Sequence, residues 1–292
     1  MFKGAITAIV TPFLENGDVD ERALQNLVEF QVKNNIDGIV PCGTTGESPT
    51  LDHEEHQRVI EIVIDSVNGR VPVIAGTGSN SLREAIDMTK KAADAGANAS
   101  LQVCPYYNKP TQEGLFRHFS AIANSVSIPI IIYNIQGRTG INLETATLAR
   151  LAKEHSNIVA VKEASGNMAQ MMDVLNTLPR NFTVLSGDDN LTLPLMSLGG
   201  KGVISVASNI IPNEMHQLAE YSLNGEFENA RTLHYKLLPL FKGIFIETNP
   251  IPIKAALAMK GMVKEVYRLP LCEMKSENKE KLRSILTNMD LL

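Results

Sequence analysis

Apolar positions along this chain follow two different rhythms. Short, nearly continuous apolar runs rich in β-branched residues recur at Ala5–Val10, Gly38–Cys42, Val71–Ala75, Ser100–Cys104, Ile128–Tyr133, Ile158–Val161, Phe182–Leu185 and Gly202–Val206. Between them apolar residues fall three and four apart, as in Leu24, Leu27, Val28 and Val32, or Ala85, Met88, Ala92 and Ala93. The first rhythm predicts strands buried on both faces, and the second predicts helices with one apolar stripe. Eight strand-then-helix units fit an α/β fold of the (β/α)8 or TIM-barrel type better than an open doubly wound sheet. Helix ends agree: Asp52-x-x-Glu55 reads as a capping box ahead of Val59, Ile60, Val63 and Ile64, and Gly96 reads as a helix stop before the fourth strand. After Val206 the pattern is helical, with no further strand signal and no Pro/Gly/Ser linker. We therefore expect a barrel over residues 1–225 and a C-terminal helical appendix over 226–292 packed on it.

Composition narrows the partners. The chain has 292 residues, enough for one large or two ordinary domains, and the eight repeats favour one barrel. Its net charge is −5 and its 27 basic residues are scattered, which argues against a nucleic-acid partner. No apolar run approaches the ~20 residues of a membrane span, and the N-terminal run stops at Thr11-Pro12 without a basic lead, so a cytoplasmic protein with no membrane partner is expected. Cys42, Cys104 and Cys272 are too few and too far apart for a disulfide framework or a zinc site, and read as small buried hydrophobes.

In a barrel of this type chemistry gathers just beyond the strands' C-terminal ends. Lys162 terminates Ile158-Val159-Ala160-Val161-Lys162. Strict alternation would place it on one face with Ala160 and Ile158, and inside a barrel its amine would be poorly solvated and nucleophilic toward a carbonyl. A solvent-facing strand end fits the strand equally well. The remaining lysines fall in helices, loops or turns and read as solvated charges. Tyr133 ends the preceding strand, within reach of that amine, and Thr44 and Tyr107 could extend a hydroxyl relay. Thr44 and Thr45 also suit turn or cap positions, and Tyr107 a packed ring with a wet hydroxyl. Gly43-Thr44-Thr45-Gly46 permits a tight anion-facing loop, and Arg138 offers a planar fork to a carboxylate or is simply a surface arginine. His53-Glu54-Glu55-His56 lacks zincin spacing and reads as a solvated helix start, and Asp188-Asp189 alone makes no cation site. Gly199-Gly200-Lys201-Gly202 precedes the last strand and reads as a turn.

Taken together, Gly43-Thr44-Thr45-Gly46-Glu47, Pro105-Tyr106-Tyr107-Asn108-x-Pro110, Tyr133-Asn134, Arg138-Thr139-Gly140, Lys162-Glu163-Ala164, Ser186-Gly187-Asp188 and Asn249-Pro250-Ile251-Pro252 resemble the pyruvate-dependent class I aldolase family over essentially the whole chain. The resemblance implies a homotetrameric barrel without metal or organic cofactor. It implies that Lys162 forms a Schiff base with pyruvate, and that Tyr133, Thr44 and Tyr107 relay protons, Tyr107 reaching across from a neighbouring subunit. Thr45 would hold the pyruvate carboxylate, with Gly187 and Ile204 lining the pocket. Arg138 would bind the carboxylate of L-aspartate 4-semialdehyde, the expected second substrate on the diaminopimelate route to lysine. A pyruvate-releasing lyase acting on a sugar-derived 2-keto acid is the alternative, generally without the Arg-Thr-Gly match. A noncatalytic amino-acid-sensing barrel is a third reading. Ser48, His53, His56, Asn80, Glu84 and Tyr106 match positions where some members bind L-lysine as an effector, with Pro49 departing from the usual small residue. The family commonly has Asn-x-Pro-x-Arg after the tyrosine. Here Gln136-Gly137 replaces the proline's fixed φ with a permissive glycine ahead of Arg138.

Overall fold

The structure, a computed structural model, describes residues 2–292. All eight expected strands form: β1 (Gly4–Ala8), β2 (Gly38–Val40), β3 (Ile74–Gly76), β4 (Ala99–Val103), β5 (Ile130–Asn134), β6 (Ile158–Glu163), β7 (Thr183–Ser186) and β8 (Gly202–Ser205). Every ladder is parallel, in the order β2-β1-β8-β7-β6-β5-β4-β3. A parallel bridge from Ile39 to Val73 and the bond from Gly76 N to Pro41 O at 3.0 Å join β2 to β3 and close the barrel. Gly76 makes this seam possible, because a Cβ there would stand 2.3 Å from the Cys42 carbonyl oxygen.

The helices around it are α1 (Glu21–Lys33), α2 (His53–Val67), α3 (Leu82–Asp94), α4 (Gln112–Ala123), the single turn α5 (Gln136–Thr139), α6 (Thr145–Glu154), α7 (Met168–Thr177), α8 (Thr192–Ser197) and α9 (Pro212–Leu223). Three more follow, α10 (Phe227–Gly243), α11 (Ile251–Met259) and α12 (Ser276–Asn288). The capping box forms at Asp52 and Glu55, each side chain accepting from the other residue's backbone N–H.

Strand alternation divides the core. Ile6, Ala8, Val40, Ile74, Leu101, Ile131, Ala160, Leu185 and Ile204 fill the barrel interior together with Tyr133. The opposite strand faces pack against helices in two outer clusters, and the larger one runs without a break from α1, α2 and α9 into α10, α11 and α12. The appendix therefore shares the barrel's hydrophobic core across the loop at residues 224–226.

Three expectations are corrected. Ile158 does not share the Lys162 face: the register slips between Ile130 and Ile131, so Ile158 packs in an outer cluster while Ala160 faces inward. A bulge adds one residue and resets alternation beyond it, which leaves Lys162 inside with Ala160. Cys272 is exposed, unlike Cys42 and Cys104. Lys254 is not a solvated lysine but is fully buried on α11.

Candidate active site

Lys162 pairs in register with Tyr133 on one side and Leu185 on the other, at the C-terminal end of β6. Its Nζ lies 4.1 Å from the centre of the Tyr133 ring, and the residue is only 6% exposed. A ring face returns about 2 kcal/mol to a desolvated ammonium, against the several kcal/mol that leaving water costs. Burial thus lowers the Lys162 pKa to about 8, against the opposing pull of the Asp188 and Asp189 carboxylates. Burial also raises the Tyr133 phenol above its ordinary value, opposed by the Arg138 charge and a hydrogen bond with Thr44. At neutral pH the site holds an amine with an appreciable neutral fraction beside a phenol that keeps its proton.

Gly187 completes this wall. A Cβ at that position would stand 2.4 Å from the Ala164 Cβ and 3.2 Å from the Lys162 Cε, so glycine is what leaves the lysine stem its space. Ile204 is fully buried in the barrel interior beneath. Asp188 is raised above the usual carboxylate range by burial, with Lys162 holding it back. Asp189 is occupied structurally, its Oδ2 accepting from Val206 N at 3.1 Å and Ala207 N at 3.0 Å.

The loop after β2 is a tight turn fastened by Gly46 N to Gly43 O at 3.1 Å and Glu47 N to Thr44 O at 3.1 Å. Among the described residues the N–H groups of Thr44 and Thr45 donate to no protein acceptor, so the loop can present both to an anion. Thr45 is buried, and its Oγ1 accepts from Asn249 Nδ2 at 3.0 Å. Arg138 projects from the single turn α5 and donates from Nη2 to the Asn249 carbonyl at 3.0 Å. Gly137 takes no left-handed φ, and a Cβ there would meet nothing within 4 Å. The helical turn presents Arg138 without relying on the glycine.

A cavity of about 390 Å³ opens over this region, lined by Thr44, Tyr133 and Arg138. Ser48, His53, His56, Glu84 and Tyr106 line the same cavity, whereas Asn80 meets its wall through Nδ2 donating to the Tyr106 carbonyl at 3.1 Å. Lys162 is not among the lining residues, its amine lying against the Tyr133 ring. Tyr107 stands apart: it is 90% exposed with φ +70° and does not line the cavity of its own chain. His56 corrects the expectation of a solvated helix start. It is buried, its Nε2 lies 2.9 Å from the Gly76 carbonyl, and burial lowers its pKa to about 4.

A charged seam beneath the loop was not expected from the sequence. Lys254 and Glu47, both with fully buried side chains, form an ion pair, and the Lys254 Nζ lies 4.3 Å from the centre of the Phe13 ring. Arg268 forks onto Glu55 at 2.7 and 2.5 Å and reaches the Gly17 and Thr50 carbonyls, holding the chain after α11 to the same region. The signal was present in α11 itself, where Ile251 through Leu257 are apolar apart from Lys254: a helix apolar all round is buried, and so is a lysine within it.

A closed parallel barrel with one desolvated strand-end amine against a phenol, beside a loop with free N–H groups, defines a barrel equipped for amine–carbonyl chemistry on an anionic substrate. Comparison with known proteins gives the particular family. Residues 1–289 match the Dihydrodipicolinate synthetase family, and the chain belongs to it. It is 59% identical to a 4-hydroxy-tetrahydrodipicolinate synthase of Syntrophus aciditrophicus over 100% of both chains. Among solved structures it is similar to the dihydrodipicolinate synthase of Acinetobacter baumannii complexed with pyruvate, at TM-score 0.98 and 44% identity over 100% of both chains. It is likewise similar to the enzyme of Cyanidioschyzon merolae with lysine bound, at TM-score 0.97 and 44% identity, covering 100% of this chain and 99% of that one.

Proposed function

We propose that the protein is a 4-hydroxy-tetrahydrodipicolinate synthase, condensing pyruvate with L-aspartate 4-semialdehyde through a Schiff base on Lys162. The observation that carries this reading is the Lys162 amine, desolvated against Tyr133 with its pKa lowered to about 8. The neutral amine adds to the pyruvate carbonyl, and the carbinolamine loses water as Tyr133 and Thr44 move the protons, with Tyr107 supplied by a neighbouring subunit of a homotetramer. A proton then leaves the methyl carbon to give the enamine, which attacks the aldehyde of the second substrate. The substrate's own amine next displaces Lys162 from the imine carbon, closing the ring and returning free enzyme. Thr45 and the loop N–H groups hold the pyruvate carboxylate, Gly187 and Ile204 shape the floor, and Arg138 binds the semialdehyde carboxylate.

Borohydride reduction in the presence of pyruvate, followed by peptide mass mapping, tests the central step, and absence of an adduct at Lys162 would sink it. A coupled assay with aspartate semialdehyde then separates a synthase from a lyase of 2-keto sugar acids. The exposure of Tyr107 and the lysine-bound relative support two further assignments: a tetramer completed by Tyr107, and an L-lysine effector site at Ser48, His53, His56, Asn80, Glu84 and Tyr106. Native mass and a kinetic titration with millimolar lysine check them. Among the described residues no helix is long and apolar enough to cross a membrane, and no group of three or more His, Cys, Asp or Glu is placed to hold a metal.

A further inference from the structure

We infer that Asn249, contributed by the appendix, is a positioning residue that sets the polarity of the Thr45 hydroxyl. The inference rests on the proposed role of Thr45 in holding the pyruvate carboxylate. A hydroxyl has one proton to give and can accept as well, so what it offers a ligand depends on what its neighbours have already taken. Here the neighbour takes the acceptor side: Asn249 Nδ2 donates to Thr45 Oγ1 at 3.0 Å. With that lone pair taken, the Thr45 hydroxyl is left to act as a donor, and no acceptor for it is found among the described residues. It is therefore left for an anion arriving beside the free N–H groups of Thr44 and Thr45.

Two further observations separate Asn249 from a residue that merely fills the seam. It is 5% exposed, yet among the described residues its Oδ1 has no hydrogen-bond partner. Its nitrogen is thus the end of the buried amide that has a protein partner, and that partner is Thr45. In addition, its main-chain carbonyl accepts from Arg138 Nη2 at 3.0 Å. One residue thus touches both groups assigned to the substrates' carboxylates, through its side chain to Thr45 and through its backbone to Arg138. The buried pair of Lys254 with Glu47 fixes the start of α11 against the same loop, so the contact joins two anchored elements.

This division of labour makes the test selective. Asn249→Ala removes the amide but keeps the carbonyl. The half-saturating pyruvate concentration for borohydride-trapped adduct on Lys162 should rise about tenfold, while the KM for aspartate semialdehyde stays within about threefold. Thr45→Val should raise the pyruvate value similarly, and the double variant should be no worse than the poorer single one, because both remove the same interaction. Asn249→Ser, which keeps a small polar group in the buried position, is carried through the same cycle alongside, with thermal melting to confirm folding. Multiplying effects in the double variant, an equal rise in both KM values, or unchanged pyruvate saturation would each overturn the inference. Failure of wild-type protein to form any adduct would instead overturn the Schiff-base reading on which it rests.

Discussion

Two buried lysines, one at the barrel mouth and one at the seam with the appendix, show what a missing partner does. Lys254 meets Glu47 directly, its Nζ also close to the Phe13 and Tyr267 rings. Burial lowers its pKa, and the contacting carboxylate works against that shift. Lys162 has an aromatic ring too, but among the described residues no carboxylate forms an ion pair with it. Asp188 and Asp189 act on it only through space, and its pKa falls to about 8. The same residue type, buried in both places, is fastened by a carboxylate in one and left with a lowered pKa and no contacting carboxylate in the other. The difference is whether a carboxylate makes contact.

The largest effect that tests this contrast is loss of the proposed nucleophile. Lys162→Ala should lower activity by about 10³-fold or more and abolish trapping, with no loss of melting temperature. Comparable chemical loss from Lys254→Met in protein that remains fully folded would break the distinction. On stability the ranking reverses. Lys254→Met should cost about 3–5 kcal/mol in denaturant unfolding by leaving the Glu47 carboxylate buried alone, and Lys254→Met with Glu47→Leu should recover much of it.

A smaller effect follows from proton linkage. The folded-state pKa of Lys162 lies below its ordinary 10.5, so between about 8 and 10.5 the unfolded chain binds more protons and stability rises with pH. Lys162→Met should therefore be more stable than wild type at pH 7, by up to about 3 kcal/mol, with the gap closing across that window. Parallel unfolding curves at pH 7 and pH 10 check the sign. Adduct formation should climb through a midpoint near the same value of about 8. The smallest change is Gly187→Ala, whose Cβ would crowd Ala164 and the Lys162 stem. A drop of about tenfold in the trapping rate is expected, and an unchanged rate would show that the stem needs no such space.

Much of this was readable from residue order, for identifiable reasons. Parallel strands buried on both faces leave continuous apolar runs, so all eight were legible, and neighbouring strand ends brought Tyr133 to Lys162. The resemblance supplied the roles for which single side chains had left alternatives. What escaped was set by events that leave little local trace. The bulge in β6 turned Ile158 away without changing the apolar pattern. His56 looked like one half of a polar helix start, whereas its buried ring meets the Gly76 carbonyl, twenty residues along the chain. Thr45 and Asn249 lie 204 residues apart, and no periodicity links them. Lys254 was missed although its helix announced it.

The shared core of barrel and appendix also bears on how the protein comes into being. Strand β8 ends at Ser205, so a growing chain has all the barrel's strands before Asn249, Lys254 and Arg268 have been synthesised. Until they arrive, Glu47 lacks its ammonium, Thr45 its amide and Arg138 its carbonyl. Domains emerge N-terminal part first at about 5–20 residues per second, which separates the two events by seconds. With Thr45 and Arg138 in their proposed roles, competence to bind substrate follows the barrel's strands by that interval, and a chain terminated just after β8 lacks these contacts at its mouth.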